Sequence, residues 1–297
     1  MQRLLLAVLL ALTLGSPFHA RAQESSAPQM SSEQFLATLA FKTGKITLPG
    51  NIATLDLPPS FRYLDPKDSE KLLVDGWGNP PGGEPPLGMI IPADVDPLTA
   101  EGWGVVITYD KDGHVKDDDA DSINYTDLLK EMQESMAASN EERKKLGYGA
   151  MNLVGWAEAP SYDKANHKLY WAKELDNEGQ KEHGLNYNIR VLGREGVLVL
   201  NAVAGMSQIA KVKSEMRGVT AFTDFTPGNR YADFNESTDK VAEYGLAGLV
   251  AGGIAAKLGF FGKLFALLIA FKKLIIVGAI ALGAAIVKFF RRDKAAE

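Results

Sequence analysis

Apolar and polar residues follow strand and helix periodicities through the middle of the chain, between two long apolar runs at its ends. In the first half, alternating positions and short apolar runs predict strands at 45–48, 53–57, 61–64, 87–91 and 102–109. In the second half, they predict strands at 152–158, 168–175, 185–192, 197–204 and 220–225. Between 152 and 204 the strands are joined by a polar connection at 160–166 and a tight hairpin at 193–196, so an antiparallel meander is expected.

Helices are predicted where apolar residues recur every three to four positions, or where capping residues stand. Apolar residues at 125, 128, 129, 132 and 136 predict a helix over 125–146, and a second helix is predicted over 207–217. Short helices are expected after the capping box of Ser31 and Gln34, and after Asp65, which precedes a proline at the first helical position. Together these elements predict an α+β fold, a mostly antiparallel sheet with flanking helices.

The N-terminal residues have the pattern of an export signal. Arg3 gives a positive start, an eleven-residue apolar run covers 4–14, and the small residues Ala20 and Ala22 precede Gln23. The run is shorter than the roughly 20 residues that a membrane-spanning helix needs. We therefore expect a signal peptide over 1–22 that is cleaved before Gln23, rather than an anchor.

The C-terminal apolar region has the composition of a membrane segment. Residues 274–290 form a seventeen-residue run, near the lower limit for crossing a bilayer, and the positive-inside rule places the basic tail 291–297 in the cytoplasm. The Gly/Ala-rich stretch 241–273 is expected to be membrane-associated, although Lys257 and Lys263 would be costly at the bilayer centre. It could form a second span, lie at the interface, or pack on partner helices.

The predicted organisation thus has five parts. A signal peptide covers 1–22 and an exported domain covers 23–240; the membrane-associated segment, the transmembrane helix and the tail follow at 241–273, 274–290 and 291–297. One span gives the simplest topology, and two remain open. Small residues four apart, at Gly248, Gly252 and Ala256, would let helices approach closely and form an oligomer in the membrane.

Charge separates the exported domain from both ends of the chain. Residues 23–240 hold 22 basic and 34 acidic side chains, a net charge of −12, against −5 for the whole chain. Such a domain does not favour binding to nucleic acid or to anionic lipid. The chain has no cysteine, which excludes disulfides, thiolate metal sites and a cysteine nucleophile. No phosphate-binding loop, dinucleotide fingerprint or nucleophile elbow is present, so no cofactor is expected.

Three ionisable residues on the 156–174 strand pair are the candidates for catalysis. His167 lies between strands that carry Glu158 and Glu174, and cross-strand pairing could place its imidazole beside a carboxylate, as in acid and base catalysis. Turn chemistry and sheet packing account for the same residues without a reaction. We therefore favour a protein that is not an enzyme.

The one cluster that resembles a cation site contains Asp110, Asp112 and Asp119. With Gly113 at the sixth position of an EF-hand loop, the first position is Thr108 and the last position is an aspartate rather than a bidentate glutamate. A solvated acidic loop is the expectation.

Two further places could bind a partner. The prolines and glycines of 76–86 predict a long structured loop, in which Trp77 offers aromatic contact area. Asn229, Arg230 and Tyr231 stand shortly before the apolar C-terminal segment, where their mixture of polar and aromatic groups could also anchor the chain at a membrane interface.

Three stretches carry a resemblance to an uncharacterised family of predicted membrane-anchored bacterial proteins, a domain of unknown function. They are Gly155-Trp156-Ala157-Glu158 with Pro160, Tyr162 and Asp163, His167-x-Leu169-x-Trp171-Ala172 with Glu174 and Leu175, and Gly228 to Phe234 running into Tyr244-Gly245-Leu246-Ala247. The resemblance covers nearly the whole mature chain and implies an exported domain on a C-terminal anchor. It implies no reaction, cofactor or catalytic residue.

The sequence therefore predicts a protein of the inner membrane, with a single span and its main domain in the periplasm. We expect it to act as an interaction or structural module with an envelope or membrane protein as its partner. The alternative is a membrane-tethered hydrolase or ligand-binding sensor that uses the 156–174 strand pair.

Overall fold

The computed structural model describes residues 30–79, 81–82 and 85–252. Its ten strands are β1 (Gly44–Thr47), β2 (Ala53–Leu57), β3 (Phe61–Leu64), β4 (Gly88–Pro92), β5 (Gly104–Asp110), β6 (Met151–Asp163), β7 (Lys168–Asn177), β8 (Gly184–Leu192), β9 (Val197–Gly205) and β10 (Thr223–Phe225). Its α-helices are α1 (Ser32–Leu36), α2 (Pro66–Lys71), α3 (Tyr125–Lys145), α4 (Ile209–Ala221) and α5 (Leu246–Ala251). This is the α+β fold with antiparallel sheets that the sequence predicts.

Seven strands form the larger sheet, in the order β3-β4-β5-β9-β8-β7-β6. All neighbouring pairs are antiparallel, and β6 to β9 are consecutive neighbours, which confirms the predicted meander. In the hairpin between β8 and β9, the N–H of Gly193 donates to the carbonyl of Gly196 at 2.8 Å. The remaining strands form a small sheet in the order β1-β2-β10.

One face of the larger sheet packs against the small sheet and α4 and forms the main core. Alternate residues of the central strands point into it, including Ile107, Ile189 and Leu200, which are fully buried. Helix α4 contributes Val212 and Met216 at helical spacing. The apolar residues at every second position of the strands and at every third or fourth position of the helix therefore pack in one layer.

The opposite face of the larger sheet is covered in two separate places. At the β6 end lies the C-terminal core, whose buried members are Val115, Leu169, Trp171, Leu192, Val197, Leu246, Leu249 and Val250. Near β3 and β4, the π-helical turn Leu72–Gly76 that follows α2 helps to cover a third cluster of Leu39, Leu64, Leu72, Met89 and Ile91. Between these two places, residues of β5, β9 and β8 line an open cleft.

Two predicted element ends differ from the structure by four or five residues. Strand β6 runs on to Asp163 and takes in part of the connection expected at 160–166. Proline lacks the N–H that an inner strand must donate, but β6 is an edge strand with register shifts, which accommodate Pro160. Helix α4 continues past 217 to Ala221 and replaces the start of the strand expected at 220–225.

The two capping signals predicted from the sequence are present in the structure. Ser31 accepts a hydrogen bond from the N–H of Gln34 at 3.2 Å and completes the predicted capping box. Asp65 caps α2, whose first residue is the predicted proline. Helix α3 begins after Asn124, whose side chain accepts from two N–H groups of the first turn.

No helix in the described part of the chain is both long enough and apolar enough to span a bilayer. The predicted signal peptide over 1–22 and the predicted span at 274–290 lie outside the described residues, as does most of 241–273.

Candidate functional site

The 156–174 strand pair does not bring His167 beside Glu158 or Glu174. The Oε1 atom of Glu158 lies 3.0 Å from Nζ of Lys213 on α4. The Oε1 atom of Glu174 lies 2.6 Å from Nδ1 of His183, and this hydrogen bond raises the pKa of His183. The three candidate residues therefore have separate partners.

His167 instead faces Tyr162 and Asp117. Its Nδ1 lies 3.3 Å from Oη of Tyr162 and 3.7 Å from Oδ2 of Asp117, and Tyr162 donates to the same Oδ2 at 2.8 Å. His167 has a φ of 51°, a left-handed conformation that is uncommon for residues other than glycine. The imidazole is held by these contacts while 33% of the side chain stays exposed.

Four rings form a continuous stack in the order His167, Tyr231, His114 and Phe234. The centroid of Tyr231 lies 4.0 Å from that of His167 and 4.2 Å from that of His114, and the His114 and Phe234 centroids are 3.9 Å apart. Tyr231 Oη donates to the carbonyl of Val115 at 3.2 Å. The predicted binding residue Tyr231 thus joins its own segment to the residues that follow β5.

The other two residues of that segment also contact the fold. Asn229 donates through Nδ2 to Oγ1 of Thr226 at 2.8 Å. The guanidinium of Arg230 lies 3.7 Å from Asp224, and its backbone N–H donates to Asp233 at 3.0 Å.

The stack makes stability depend on pH. Burial lowers the pKa of His114 below its ordinary 6.5, although the neighbouring backbone and the carboxylates of Asp117 and Asp239 oppose this shift. Just below pH 6.5 the unfolded chain therefore binds more protons than the folded chain. The stability that neutral His114 contributes is lost as the pH falls through its lowered pKa. We expect the melting temperature to decrease below about pH 6.5 and to decrease less in His114→Gln.

Melting curves of both proteins over a pH series would measure this difference. His183 acts with the opposite sign, because a raised pKa gives stability that is lost as the pH rises through it. Because His183 is present in both proteins, the difference between their melting curves reports on His114. Equal losses in the two proteins at acid pH would contradict the prediction.

The three aspartates of the predicted acidic loop have different surroundings. Asp112 accepts a hydrogen bond from Oη of Tyr244 at 2.7 Å. Asp119 accepts from two backbone N–H groups of α5, at 3.0 and 3.2 Å. Burial raises the pKa of Asp110. Within the described residues, no group of three or more histidine, aspartate or glutamate side chains is placed to hold a metal ion.

Residues 240–251 are bound into the domain. The N–H of His114 donates to the carbonyl of Lys240 at 2.8 Å, and the N–H of Ala242 donates to the carbonyl of His114 at 2.9 Å, which forms a parallel bridge. Gly113 allows this close approach, because a Cβ there would lie 2.7 Å from the carbonyl oxygen of Lys240. Asp112 and Asp119 bind the residues that follow.

Helix α5 completes the C-terminal core. Leu246, Leu249 and Val250 are at most 2% exposed and belong to the same cluster as Leu169 and Trp171. The partly buried members of this cluster include Trp156, Tyr162, Tyr231 and Tyr244. All three distinctive stretches of the sequence therefore converge on one apolar cluster around α5.

Trp77 lines an open cleft of about 820 Å³ above the larger sheet. Its Nε1 donates to the carbonyl of Pro97 at 2.8 Å, which fixes the indole against the loop between β4 and β5. Leu73 and Leu98 lie on the same side, and Arg143 and Met151 line the opposite side. The floor is formed by Val106, Asn186, Asn201 and Val203.

The polar residues on this face of the sheet are not among the candidate residues predicted from the sequence. In β8, Asn186, Asn188 and Arg190 alternate with Leu185, Tyr187 and Ile189, which point into the main core. Asn201 of β9 stands opposite Asn188 in the register. The available signal was this alternation, because polar residues at every second position of a central strand indicate a face that is not packed entirely against apolar residues.

Asn201 is the unusual member of this set. Its Oδ1 is buried and has no hydrogen-bond partner among the described residues. An unsatisfied buried polar atom costs about 1–3 kcal/mol. Such a cost in the floor of a cleft points to a role other than stability.

Two partly buried cationic side chains lie on the same face of the sheet, outside the residues that line the cleft. Burial and the nearby Arg190 lower the pKa of Lys173 to about 8, and Lys173 pairs with Asn186 in the register. The guanidinium of Arg190 lies 4.9 Å from the ring centroid of Trp171, and burial lowers its pKa to about 10.

Two solved structures match part of this architecture. The cyanobacterial PsbP protein CyanoP from Synechocystis sp. PCC 6803 has a TM-score of 0.35 and 11% sequence identity, over 63% of this chain and 94% of that chain. The Ran-binding protein Mog1p of Saccharomyces cerevisiae has a TM-score of 0.33 and 10% identity, over 66% of this chain and 100% of that chain. Neither likeness bears on activity. No curated protein matches the chain.

A family model described as a protein of unknown function (DUF2167) matches residues 40–283. This range includes both sheets, the cleft and the residues of α5, and it agrees with the resemblance to an uncharacterised family. The chain therefore belongs to the DUF2167 family of proteins of unknown function.

Proposed function

We propose that this protein is an interaction module of the bacterial cell envelope, anchored in the inner membrane by its apolar C-terminal segment. In this proposal the signal peptide over 1–22 is removed, the folded domain lies in the periplasm, and 274–290 spans the bilayer. Its partner is another envelope or membrane protein.

One observation carries this proposal: the domain encloses residues 240–251. Two backbone hydrogen bonds, the carboxylates of Asp112 and Asp119, and the buried side chains of α5 hold this segment. A domain bound in this way has no free linker between its core and Gly252, so it continues directly into the apolar region. That suits a protein that presents a surface to a neighbour in the envelope.

A membrane-tethered hydrolase or ligand-binding sensor that uses the 156–174 strand pair is the second candidate. It is favoured by the partly exposed imidazole of His167, which lies near Tyr162 and Asp117. Glu158 and Glu174 have other partners and would not assist such a reaction. Turnover of ester or peptide reporter substrates that disappears in a folded His167→Gln variant would favour this candidate over the interaction module.

The interaction proposal predicts where the protein is found in a Gram-negative cell. The full-length chain should stay in the membrane fraction after alkaline carbonate extraction, and protease should digest its domain only after the outer membrane is opened. A chain shortened after Gly252 should appear in the soluble periplasmic fraction, because it keeps the packing of α5 and lacks the apolar segment.

Two outcomes would overturn this proposal. Protection of the domain from protease in spheroplasts would place it in the cytoplasm, and release of the full-length chain by carbonate would remove the anchor. Alkaline phosphatase fused after Glu297 would separate the two topologies, since the enzyme is inactive in the cytoplasm. We expect it to be inactive, as a single span requires.

A further inference from the structure

The cleft above the larger sheet has the dimensions of a short extended peptide. Its lining residues come from four neighbouring strands, β5, β9, β8 and β7. At a strand spacing of about 4.8 Å, these strands give a floor about 14 Å long. An extended chain rises about 3.3 Å per residue, so the floor accommodates about four residues that run across the strands.

The side chains of the floor match the groups of a peptide backbone. Asn186 and Asn201 each carry an amide, which can donate and accept at the same time, as a peptide unit does. The buried Oδ1 of Asn201 lacks a donor among the described residues. Rotation of this amide towards the cleft would let a peptide N–H supply one.

The walls distinguish a peptide from a sugar. Leu73 and Leu98 at one end, and Met151 at the other, are partly exposed and offer aliphatic surface to a ligand. Aliphatic peptide side chains would bury this surface favourably, whereas sugar hydroxyl groups placed against it would lose hydrogen bonds to water. Trp77 is the only tryptophan, tyrosine or phenylalanine that lines the cleft in the described part of the chain, and its Nε1 is already bonded to Pro97.

Charge favours a neutral or basic peptide over an acidic one. Glu178 and Glu182 line the Met151 end, against the guanidinium of Arg143. The imidazole of His183 also lines the cleft, but it is already paired with the carboxylate of Glu174. Hydrogen bonds from Ser207 lower the pKa of Glu182 and keep it ionised near neutral pH. The surrounding domain, 23–240, carries a net charge of −12.

We propose that this cleft binds a short, extended peptide segment of neutral or basic character, whose backbone is held by the side-chain amides of Asn186 and Asn201. The inference rests on the proposed role as an interaction module and names the chemistry of its partner. It does not depend on the membrane anchor, so peptide binding and membrane fractionation can fail independently.

The test uses the full-length protein in detergent micelles. The probe is a pool of tetrapeptides, N-acetylated and C-amidated, randomised over Ala, Val, Leu, Ser, Asn, Lys and Glu. Retained peptides are identified by mass spectrometry, resynthesised and titrated. We expect peptides with lysine to be retained in preference to peptides with glutamate, and Asn201→Val to weaken the best of them at least tenfold.

The controls separate loss of the site from loss of the fold. Thr47→Val also places a valine at an exposed strand position, on edge strand β1 of the small sheet, and should leave the affinity unchanged. The melting temperature of Asn201→Val should not fall, because valine suits a strand and removes an unsatisfied atom. Asn186→Val provides a second loss-of-binding variant if the first one fails to fold.

Three results would overturn the proposal. The first is a pool from which the wild-type protein retains no more peptide than Asn201→Val does. The second is a preference for glutamate peptides. The third is specific binding of a β-1,4-linked N-acetylglucosamine disaccharide in place of peptides, which would assign the cleft to glycans instead.

Discussion

A chain shortened after Lys240 is expected to lose its folded structure, whereas a chain shortened after Gly252 is expected to fold. The first deletion removes Leu246, Leu249 and Val250 from the C-terminal core, where each is at most 2% exposed. Burial of such side chains contributes about 1.5–3 kcal/mol each, or about 4–9 kcal/mol together. This is comparable to the whole stability of an average domain, about 5–15 kcal/mol.

Thermal unfolding followed by circular dichroism, with limited proteolysis, would compare the two chains. The longer chain is the matched control, since both lack the same residues beyond 252. A cooperative transition of the shorter chain within a few degrees of that of the longer one would contradict the role of α5. It would also weaken the proposed function, which depends on the packing of residues 240–251 against the domain.

Replacement of Trp171 by alanine is expected to destabilise the protein by about 3–5 kcal/mol, the cost of removing a large side chain from a core. Trp171 is 1% exposed and lies in the same apolar cluster as Leu246 and Leu249 of α5. Its ring also lies near the guanidinium of Arg190. At about 2–4 °C per kcal/mol for a domain of this size, the melting temperature should fall on the order of 10 °C.

Trp171→Phe is the matched control for this substitution. Phenylalanine keeps an aromatic ring in the core and removes the indole N–H, which is buried without a partner among the described residues. Loss of indole contacts destabilises this variant, whereas removal of the unsatisfied donor stabilises it. We therefore expect the free energy of unfolding to change by no more than about 1 kcal/mol. Similar losses in the two variants would contradict this expectation and show that a smaller aromatic ring does not maintain the packing around α5.

The elements of this fold follow largely from sequence spacing. The four strands of the meander over 152–204 and helix α3 were all predicted, because alternation and helical recurrence are local properties of the chain. Where the boundaries differ, as at Pro160, the reason is the position of the strand in the sheet. A proline is tolerated in a strand where no neighbouring strand accepts a hydrogen bond from that position. The spacing of apolar residues does not reveal which strands are neighbours.

Pairing of the candidate residues was less predictable. His167, Glu158 and Glu174 lie on neighbouring strands, yet the two carboxylates meet Lys213 of α4 and His183 of the next turn. Side chains of a strand alternate between two faces, and the register shifts in β6 change which face a residue takes. Proximity along two strands therefore did not specify which side chains meet.

The sequence by itself determined the strand and helix pattern, the acidic character of the domain, and the distinctive stretches around Trp171 and Tyr231. The tertiary structure decided that these stretches surround α5, and that Asn186 and Asn201 lie in a cleft between Trp77 and Met151. The physical reason is that local spacing sets which face of an element is apolar. What covers that face depends on residues far away in the chain, and only the folded chain brings them together.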